Sequence, residues 1–175
     1  RIQKALRERE KILISGDYDV DGITGTALLY NFLGLLGIAP EYHIPRRTRD
    51  GYGLSAAVLH AAAARGVKLV VSVDCGITAV AEAKLARELG MDLVITDHHE
   101  PPPELPDAFA IVNPKLPAKL PEKAYPFRDL SGGGTVFKLI WGTAQAFSNG
   151  ERVAEPFREF LLEAMALVGL GTIAD

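Results

Sequence analysis

Short apolar runs and longer apolar segments alternate along most of the chain. The runs of strand length predict five β-strands, at residues 11–16, 41–45, 68–74, 92–97 and 108–113. The longer segments predict helices at residues 23–37, 54–65, 78–89, 135–147 and 155–168, after a charged surface helix at residues 1–10. The strand at 68–74 is rich in β-branched residues, which is typical of a strand buried on both faces. Strands that alternate with helices predict an α/β fold with a parallel, doubly wound sheet flanked by helices.

Composition limits the classes of protein that fit this pattern. The 175 residues are 48% hydrophobic and 23% charged, which suits one globular domain. No apolar run has the length of a membrane span and no N-terminal stretch resembles a signal peptide, so we expect no membrane partner. Cys75 is the one cysteine and cannot form an internal disulfide, so we expect a reducing, cytoplasmic location. The net charge of −3 does not indicate nucleic acid.

Acidic and imidazole side chains follow three of the predicted strands, the first, the third and the fourth. The side chains at these strand ends are Asp17, Asp19, Asp21, Asp74, Asp97, His98 and His99. Because the carboxyl ends of parallel strands lie at one edge of a sheet, we expect these side chains to converge there. The last residue, Asp175, follows the apolar run ALVGLGTIA and is one more candidate.

A cluster of carboxylates indicates a cation, because like charges at close range repel each other. Carboxylates with imidazole and without a thiolate cluster suit Mg²⁺ or Mn²⁺, and the imidazoles favour Mn²⁺. Five or more carboxylates are too many for one ion and predict two. A pair of such ions activates water and stabilises charge in displacement at phosphorus, which predicts phosphoester hydrolysis.

Each of these patterns has a structural alternative when it is taken alone. Alternate aspartates after a strand often cap a helix, with the remaining acids in solvent. Asp74 could cap the helix that follows residues 76–78, and His98 and His99 could bond to loop backbone. Three such features in order at strand ends favour the functional interpretation.

Two further segments are candidates for binding a substrate phosphate. The segment RRTRDGYG offers Arg46, Arg47, Arg49 and Tyr52, which could hold a nucleic-acid backbone and stack on a base. Its alternative is a solvated loop with a turn at residues 50–51. The segment SGGGT offers Ser131, Gly132 and Gly133 at a helix start, where backbone N–H groups can hold a phosphate. Close packing of helix on sheet is its favoured alternative, and Trp141 in the helix that follows is predicted to be core.

Four motifs in order resemble those of the DHH phosphoesterase superfamily: GDYDVDG, VDCG, TDHH and GTIAD. The wider text resembles the branch of RecJ single-strand-specific DNA exonucleases, in the segments DYDVDGITGTALL, DGYGLS, IVNPKLP, YPFRDLSGGGTVFKL and LVGLGTIAD. The resemblance covers the chain from Ile12 onward. It implies a Rossmann-like DHH domain over residues 1–175, at the N-terminal part of a longer protein in which a second, DHHA1-type domain follows.

The resemblance also implies a function and roles for residues. It implies a 5′→3′ exonuclease on single-stranded DNA in repair and recombination, dependent on Mn²⁺ or Mg²⁺, with single-strand-binding protein and a helicase as partners. The metal ligands it implies are Asp19, Asp21, Asp74, His98 and Asp175, with Asp74 between two ions and Asp17 in or near the ligand set. Asp97 would orient its neighbours. His99 would reach the scissile phosphate or assist the leaving group.

One departure separates branches of the superfamily. The pyrophosphatase and small-oligonucleotide branches usually have His-x-x-x-Asp-x-Asp, whereas this sequence has Ser15 at the histidine position and an additional acid at Asp17. That difference favours the exonuclease branch. The alternatives are a related phosphodiesterase that cleaves short oligonucleotides or cyclic dinucleotides, and a non-catalytic DNA-binding or scaffold member, which should have lost some ligands.

Overall fold

A computed structural model gives the fold and describes residues 1–46, 53–117, 124–148 and 152–175. The strands are β1 (Lys11–Ser15), β2 (Glu41–His43), β3 (Val67–Val73), β4 (Asp92–Thr96) and β5 (Ala110–Val112). The helices are α1 (Ile2–Arg7), α2 (Val20–Leu35), α3 (Ala56–Ala64), α4 (Val80–Glu88), α5 (Gly132–Ser148) and α6 (Phe157–Ala174). Among these residues, no helix is both long and apolar enough to cross a membrane.

The five strands form one parallel sheet in the order β2-β1-β3-β4-β5, which confirms the predicted α/β class. Ser15 pairs with Ser72, and Ser72 pairs with Ile95, so β1, β3 and β4 end side by side. The turns that follow these three strands therefore open at one edge of the sheet, as the sequence predicts.

Two apolar layers cover the two faces of the sheet. Helices α1, α2, α5 and α6 pack on one face, where Phe32 and Ile140 are fully buried. Helices α3 and α4 pack on the other face through small side chains, among them Ala62 and Ala83, and through Leu59. This two-sided burial explains the nearly uninterrupted apolar character of β3.

Three of the helices have ends that differ from the sequence prediction. Apolar periodicity predicted these ends, whereas polar caps and glycine-containing turns lie where the helices begin or continue. Helix α2 begins three residues early because Asp19 caps it, accepting the Gly22 N–H at 2.9 Å. Helix α5 also begins three residues early, at Gly132, because Ser131 Oγ accepts the Gly134 N–H at 3.1 Å. Helix α6 continues six residues past its predicted end, through Gly169 and Gly171.

The first helix has an exposed charged side, as predicted, with Lys4 and Arg7 at the surface, and a buried side on which Ile2 and Ala5 lie in the core. The Arg1 side chain beside it is buried against Glu10 and Asp92. One prediction of exposure was wrong. Trp141 is not core: it is 41% exposed on α5, where Lys138 Nζ lies 4.8 Å from its ring.

Candidate metal centre

The turn after β1 presents three aspartates of different exposure. Asp17 is buried and Oδ1 accepts the Tyr18 N–H at 2.8 Å. Asp19 is exposed at the N-cap of α2, and Asp21 is buried in the first turn of that helix. The alternate spacing thus places one acid before the helix, one at its cap and one inside its first turn, all at the positive end of the helix dipole.

The turn after β3 presents Asp74 in a left-handed backbone conformation with φ of 61°. Aspartate tolerates this conformation better than most residues do. The conformation is nevertheless uncommon in residues other than glycine, and such residues cluster at functional sites. The side chain is buried, and Oδ1 lies 3.2 Å from His98 Nε2. No donor among the described residues makes a hydrogen bond of good geometry to this oxygen, so a buried acceptor is left without a partner.

The turn after β4 presents Asp97, His98 and His99. Asp97 Oδ1 accepts N–H groups of His98 at 2.8 Å and His99 at 3.2 Å, and lies 2.7 Å from His99 Nδ1. Asp97 Oδ2 accepts the Ile77 N–H at 2.8 Å, which ties this turn to the one after β3. Asp97 is therefore occupied by protein donors, as expected of a residue that orients its neighbours.

Asp175 reaches the same place from the end of α6. Its Oδ2 lies 3.8 Å from His98 Nδ1, while His98 Nε2 lies 3.8 Å from Asp21 Oδ2. The ligand atoms of Asp21, His98 and Asp175 all lie within 4.8 Å of one another. The same holds for two further sets, which are Asp17 with Asp19 and Asp74, and Asp74 with His98 and His99.

This arrangement fits divalent cations. The unpartnered, buried Asp74 Oδ1 lies among oxygen and imidazole donors, which is the ligand chemistry of Mn²⁺ and Mg²⁺. Glycines surround the carboxylates at positions where a side chain would intrude. A Cβ atom at Gly132 would lie 2.4 Å from Asp74 Oδ1, and one at Gly133 would lie 3.1 Å from Asp21 Oδ1. The site is thus shaped around its carboxylates.

The pKa values of several acidic and imidazole groups at this site are shifted by burial and by their neighbours. Burial is the main reason that the pKa of Asp74 rises to about 7, against the opposing effect of His98. The contact with the Asp74 carboxylate, 3.2 Å away, is the main reason that the pKa of His98 is raised. Burial also raises the pKa of Asp17. A bound divalent cation would favour the charged carboxylates and displace these protons.

The glycine-rich start of α5 is engaged by the protein itself. The N–H of Gly132 donates to Asp21 Oδ2 at 2.5 Å, and that of Gly133 donates to Asp21 Oδ1 at 2.8 Å. The two N–H groups proposed for a phosphate thus already hold a carboxylate. Ser131 is buried and its hydroxyl accepts the Gly134 N–H, which caps the helix. These contacts support the packing alternative for this segment.

Of the remaining predicted residues, the structure describes Arg46. Arg46 is exposed after β2, at the edge of the sheet. Arg47, Arg49 and Tyr52 lie outside the described residues, so the arginine-rich segment stays a prediction.

Sequence reasoning missed one residue of the site's framework, Asn113. It follows β5, donates from Nδ2 to the His99 carbonyl at 2.9 Å, and accepts the Lys115 N–H at 2.8 Å. A polar residue directly after a strand was the signal available for it.

Comparison with known proteins gives a family model and several relatives. The model described as the DHH family, N-terminal domain, matches residues 11–168. The single-stranded-DNA-specific exonuclease RecJ of Bacillus subtilis is 44% identical over 175 residues, which are 100% of this chain and 20% of that protein. The enzyme of the same name from Escherichia coli is 39% identical over an alignment of 180 residues, covering 99% of this chain and 30% of that protein.

Solved structures agree with this match. A crystal structure of exonuclease RecJ bound to manganese superposes with a TM-score of 0.82 at 35% identity, covering 99% of this chain and 41% of that one. RecJ from Thermus thermophilus in complex with Mn²⁺ superposes with a TM-score of 0.77 at 33% identity, covering 99% of this chain and 23% of that one. The chain thus spans less than half the length of each of these relatives. With the family model matching most of its length and its motifs gathered in one site, the chain belongs to the DHH family.

Proposed function

We propose that this chain is the catalytic domain of a longer protein that hydrolyses single-stranded DNA from the 5′ end and releases 5′-nucleotides. The observation that carries the proposal is the pair of acidic groups, Asp17 with Asp19 and Asp74, and Asp21 with Asp175, that meet around His98. Names and structures of the relatives support it, since they are single-strand-specific exonucleases and two of them bind manganese.

The two groups would hold two ions, Mn²⁺ or Mg²⁺. The first would be held by Asp17, Asp19 and Asp74, and the second by Asp21, His98 and Asp175, with Asp74 close enough to His98 to serve both. Bound ions of this kind supply an activated water and stabilise negative charge on the phosphate and the leaving oxygen. The chain contributes a fixed set of carboxylates whose oxygens are partly held by backbone N–H groups.

We assign His99 to the substrate, as the resemblance implies. Its side chain is 48% exposed at the rim of the site, and Nδ1 is held by Asp97 at 2.7 Å. Held in this way, His99 donates a hydrogen bond to the scissile phosphate or to the leaving oxygen.

The proposal also says how the DNA strand is held and which proteins act with the complete protein. The exposed Arg46, with the neighbouring arginines and Tyr52, would hold the phosphate backbone as it enters the site. Single-strand-binding protein and a helicase would act with the complete protein, which would work in the cytoplasm in DNA repair and recombination.

The test is digestion of a single strand labelled at its 5′ or 3′ end by the complete protein that carries this domain. We expect a labelled mononucleotide to appear first from the 5′ label, with Mn²⁺ and not with EDTA. Asp74→Ala should abolish this release, because it removes a carboxylate of the first group that also contacts His98 of the second. Glu104→Gln, a change at an exposed loop residue, is the matched control and should leave it intact.

Two results would contradict the proposal in different ways. Hydrolysis of dinucleotides without digestion of long strands would assign the protein to the small-oligonucleotide phosphodiesterases and keep the metal centre. Binding of single-stranded DNA without Mn²⁺ uptake or cleavage would indicate a non-catalytic member of the family.

A further inference from the structure

We propose that Gly171 is a positioning residue of the metal centre: the absence of a side chain there lets α6 lie against α2, and this contact delivers Asp175 to His98. The proposal rests on the metal assignment made above and adds a residue that is not itself a ligand. Its basis is the packing of α6 on the first turn of α2.

Gly171 lies where α6 packs tightly against the first turn of α2. A Cβ atom at this position would lie 2.7 Å from Asp21 Oδ1 and 2.8 Å from Thr24 Oγ1. Both distances are shorter than any normal carbon–oxygen contact, so the addition of one methyl group would force a displacement.

The two atoms on the α2 side are held in place. Both Asp21 oxygens accept backbone N–H groups from the start of α5, at 2.5 and 2.8 Å. Thr24 Oγ1 donates to the Asp21 carbonyl at 3.0 Å. A new methyl group at position 171 would therefore push α6 away from α2, because hydrogen bonds hold the two α2 atoms in position.

A displacement of α6 at Gly171 would also move Asp175. Gly171 and Asp175 are four residues apart, so they lie on the same face of the helix, and the Asp175 N–H donates to the Gly171 carbonyl at 3.1 Å. Asp175 Oδ2 is already 3.8 Å from His98 Nδ1, and its side chain is 45% exposed. A small outward shift of α6 would remove this carboxylate from the group that it forms with Asp21 and His98.

Helix α6 has one polar contact with the start of α5 beside this position. Ser131 Oγ and Thr172 Oγ1 lie 3.2 Å apart, and Thr172 already donates to the Val168 carbonyl at 2.8 Å. Ser131 is therefore the donor in this pair. Two contacts therefore hold this turn of α6: the hydroxyl pair with the start of α5, and the close approach of Gly171 to α2.

The same helix offers a matched control in Gly169. A Cβ atom there would meet nothing within 4 Å. Gly169→Ala therefore changes the same residue type, two positions away, and tests any general effect of alanine on helix stability.

The experiment is a Mn²⁺ titration of the full chain by calorimetry, with the wild type, Gly171→Ala, Gly169→Ala and Asp175→Ala. We expect Gly171→Ala to weaken one of two Mn²⁺ sites by about 10–100-fold, the range typical of residues that orient metal ligands. Gly169→Ala should bind as the wild type does. The His98 ring resonances of the metal-free protein should move in Gly171→Ala and not in Gly169→Ala, since Asp175 would have left Nδ1.

A rescue distinguishes positioning from a general loss of structure. Asp175→Glu adds one methylene and can reach back across a displaced helix. In the Gly171→Ala background we expect it to restore part of the lost Mn²⁺ affinity, whereas alone it should weaken binding. Adding Gly171→Ala to Asp175→Ala should cost little more than Asp175→Ala alone, because both act through one carboxylate.

Four results would overturn the inference. Wild-type Mn²⁺ affinity in Gly171→Ala would show that the close approach is not needed. Equal losses in Gly171→Ala and Gly169→Ala, or additive losses with Asp175→Ala, would show that the effect does not pass through Asp175. Unchanged affinity in Asp175→Ala would overturn the metal assignment on which the inference rests, and would be recognised by that single variant.

Discussion

Two buried aspartates end adjacent strands of the same sheet and have opposite surroundings. Asp97, after β4, has donors for both oxygens: the backbone N–H groups of Ile77, His98 and His99, and the His99 ring. Asp74, after β3, is equally buried, yet its Oδ1 has no hydrogen-bond donor of good geometry among the described residues.

The pKa values of the two carboxyls follow this difference. Burial raises the pKa of both, but in Asp97 it is outweighed by the hydrogen bonds from His99 and Ile77, so that this pKa is lowered. In Asp74 burial dominates and the pKa rises to about 7. Burial alone therefore does not separate a structural carboxylate from a ligating one. The two kinds of carboxylate differ in whether hydrogen-bond donors of the protein satisfy both oxygens.

The largest expected effect is that of Asp74→Asn, which we predict to act in opposite directions on activity and on stability. DNA cleavage by the complete protein should fall by at least about 10³-fold, because the proposed ligand to both ions is lost along with several kcal/mol of transition-state stabilisation. The metal-free domain should instead be stabilised at pH 8, by about 1–3 kcal/mol, because the cost of burying this charge is removed.

The sign of the stability change follows from linkage. The folded-state pKa of Asp74, about 7, lies above the ordinary value of 3.8, so its stabilising share is complete below pH 3.8 and lost as the pH rises through 7. Thermal unfolding in EDTA at pH 5 and 8 would measure it. Destabilisation by Asp74→Asn at pH 8, together with undiminished cleavage, would make Asp74 a structural residue like Asp97.

Much of this centre could be predicted from sequence because its main chemistry lies at strand ends. Asp17, Asp74 and His98 each follow an apolar run, and parallel strands bring such ends together whatever the details of packing. The same reasoning gave the sheet and the side of it on which the site opens. Those inferences depend on periodicity and chain direction, which are local properties of the sequence.

The remainder depends on contacts between segments far apart in sequence. Nothing local shows that the N–H groups of Gly132 and Gly133 are taken by Asp21, which is more than 100 residues away. Nor does the segment GLG reveal that Gly171 contacts Asp21 while Gly169 faces open space. A glycine marks a permissive backbone or a close approach, and only the fold decides between these two meanings.

Asp97→Asn should have the second largest effect and the opposite sign on stability. The amide group has a single acceptor oxygen, so donors now satisfied by Asp97 would be left buried and unpaired. We expect the metal-free domain to lose about 2–4 kcal/mol, or roughly 5–15 °C in the midpoint of thermal unfolding.

Calorimetry of the two variants under one condition would test the comparison directly. If Asp97→Asn were neutral in the metal-free domain while Asp74→Asn destabilised it, the assignment of the two aspartates would be reversed. Glu104→Gln should lie within about 0.5 kcal/mol of the wild type, as expected for an exposed side chain.

The smallest expected effect is on the stability of the metal-free domain, which should depend on pH through the Asp97–His99 contact. The hydrogen bond from His99 to Asp97 is the main reason that the pKa of His99 rises to about 9 from 6.5. Because this pKa is raised on folding, the stabilisation is complete below pH 6.5 and lost as the pH rises through 9.

Since His99 is half exposed, the gain should be less than about 1 kcal/mol. The difference in unfolding free energy between wild type and His99→Ala should therefore shrink between pH 6 and 10. NMR titration of the His99 ring gives a second measurement: in Asp97→Asn the pKa should move back towards 6.5. An unchanged His99 pKa in that variant would mean that Asp97 does not hold the ring, and Asp97 would then be left with backbone donors alone.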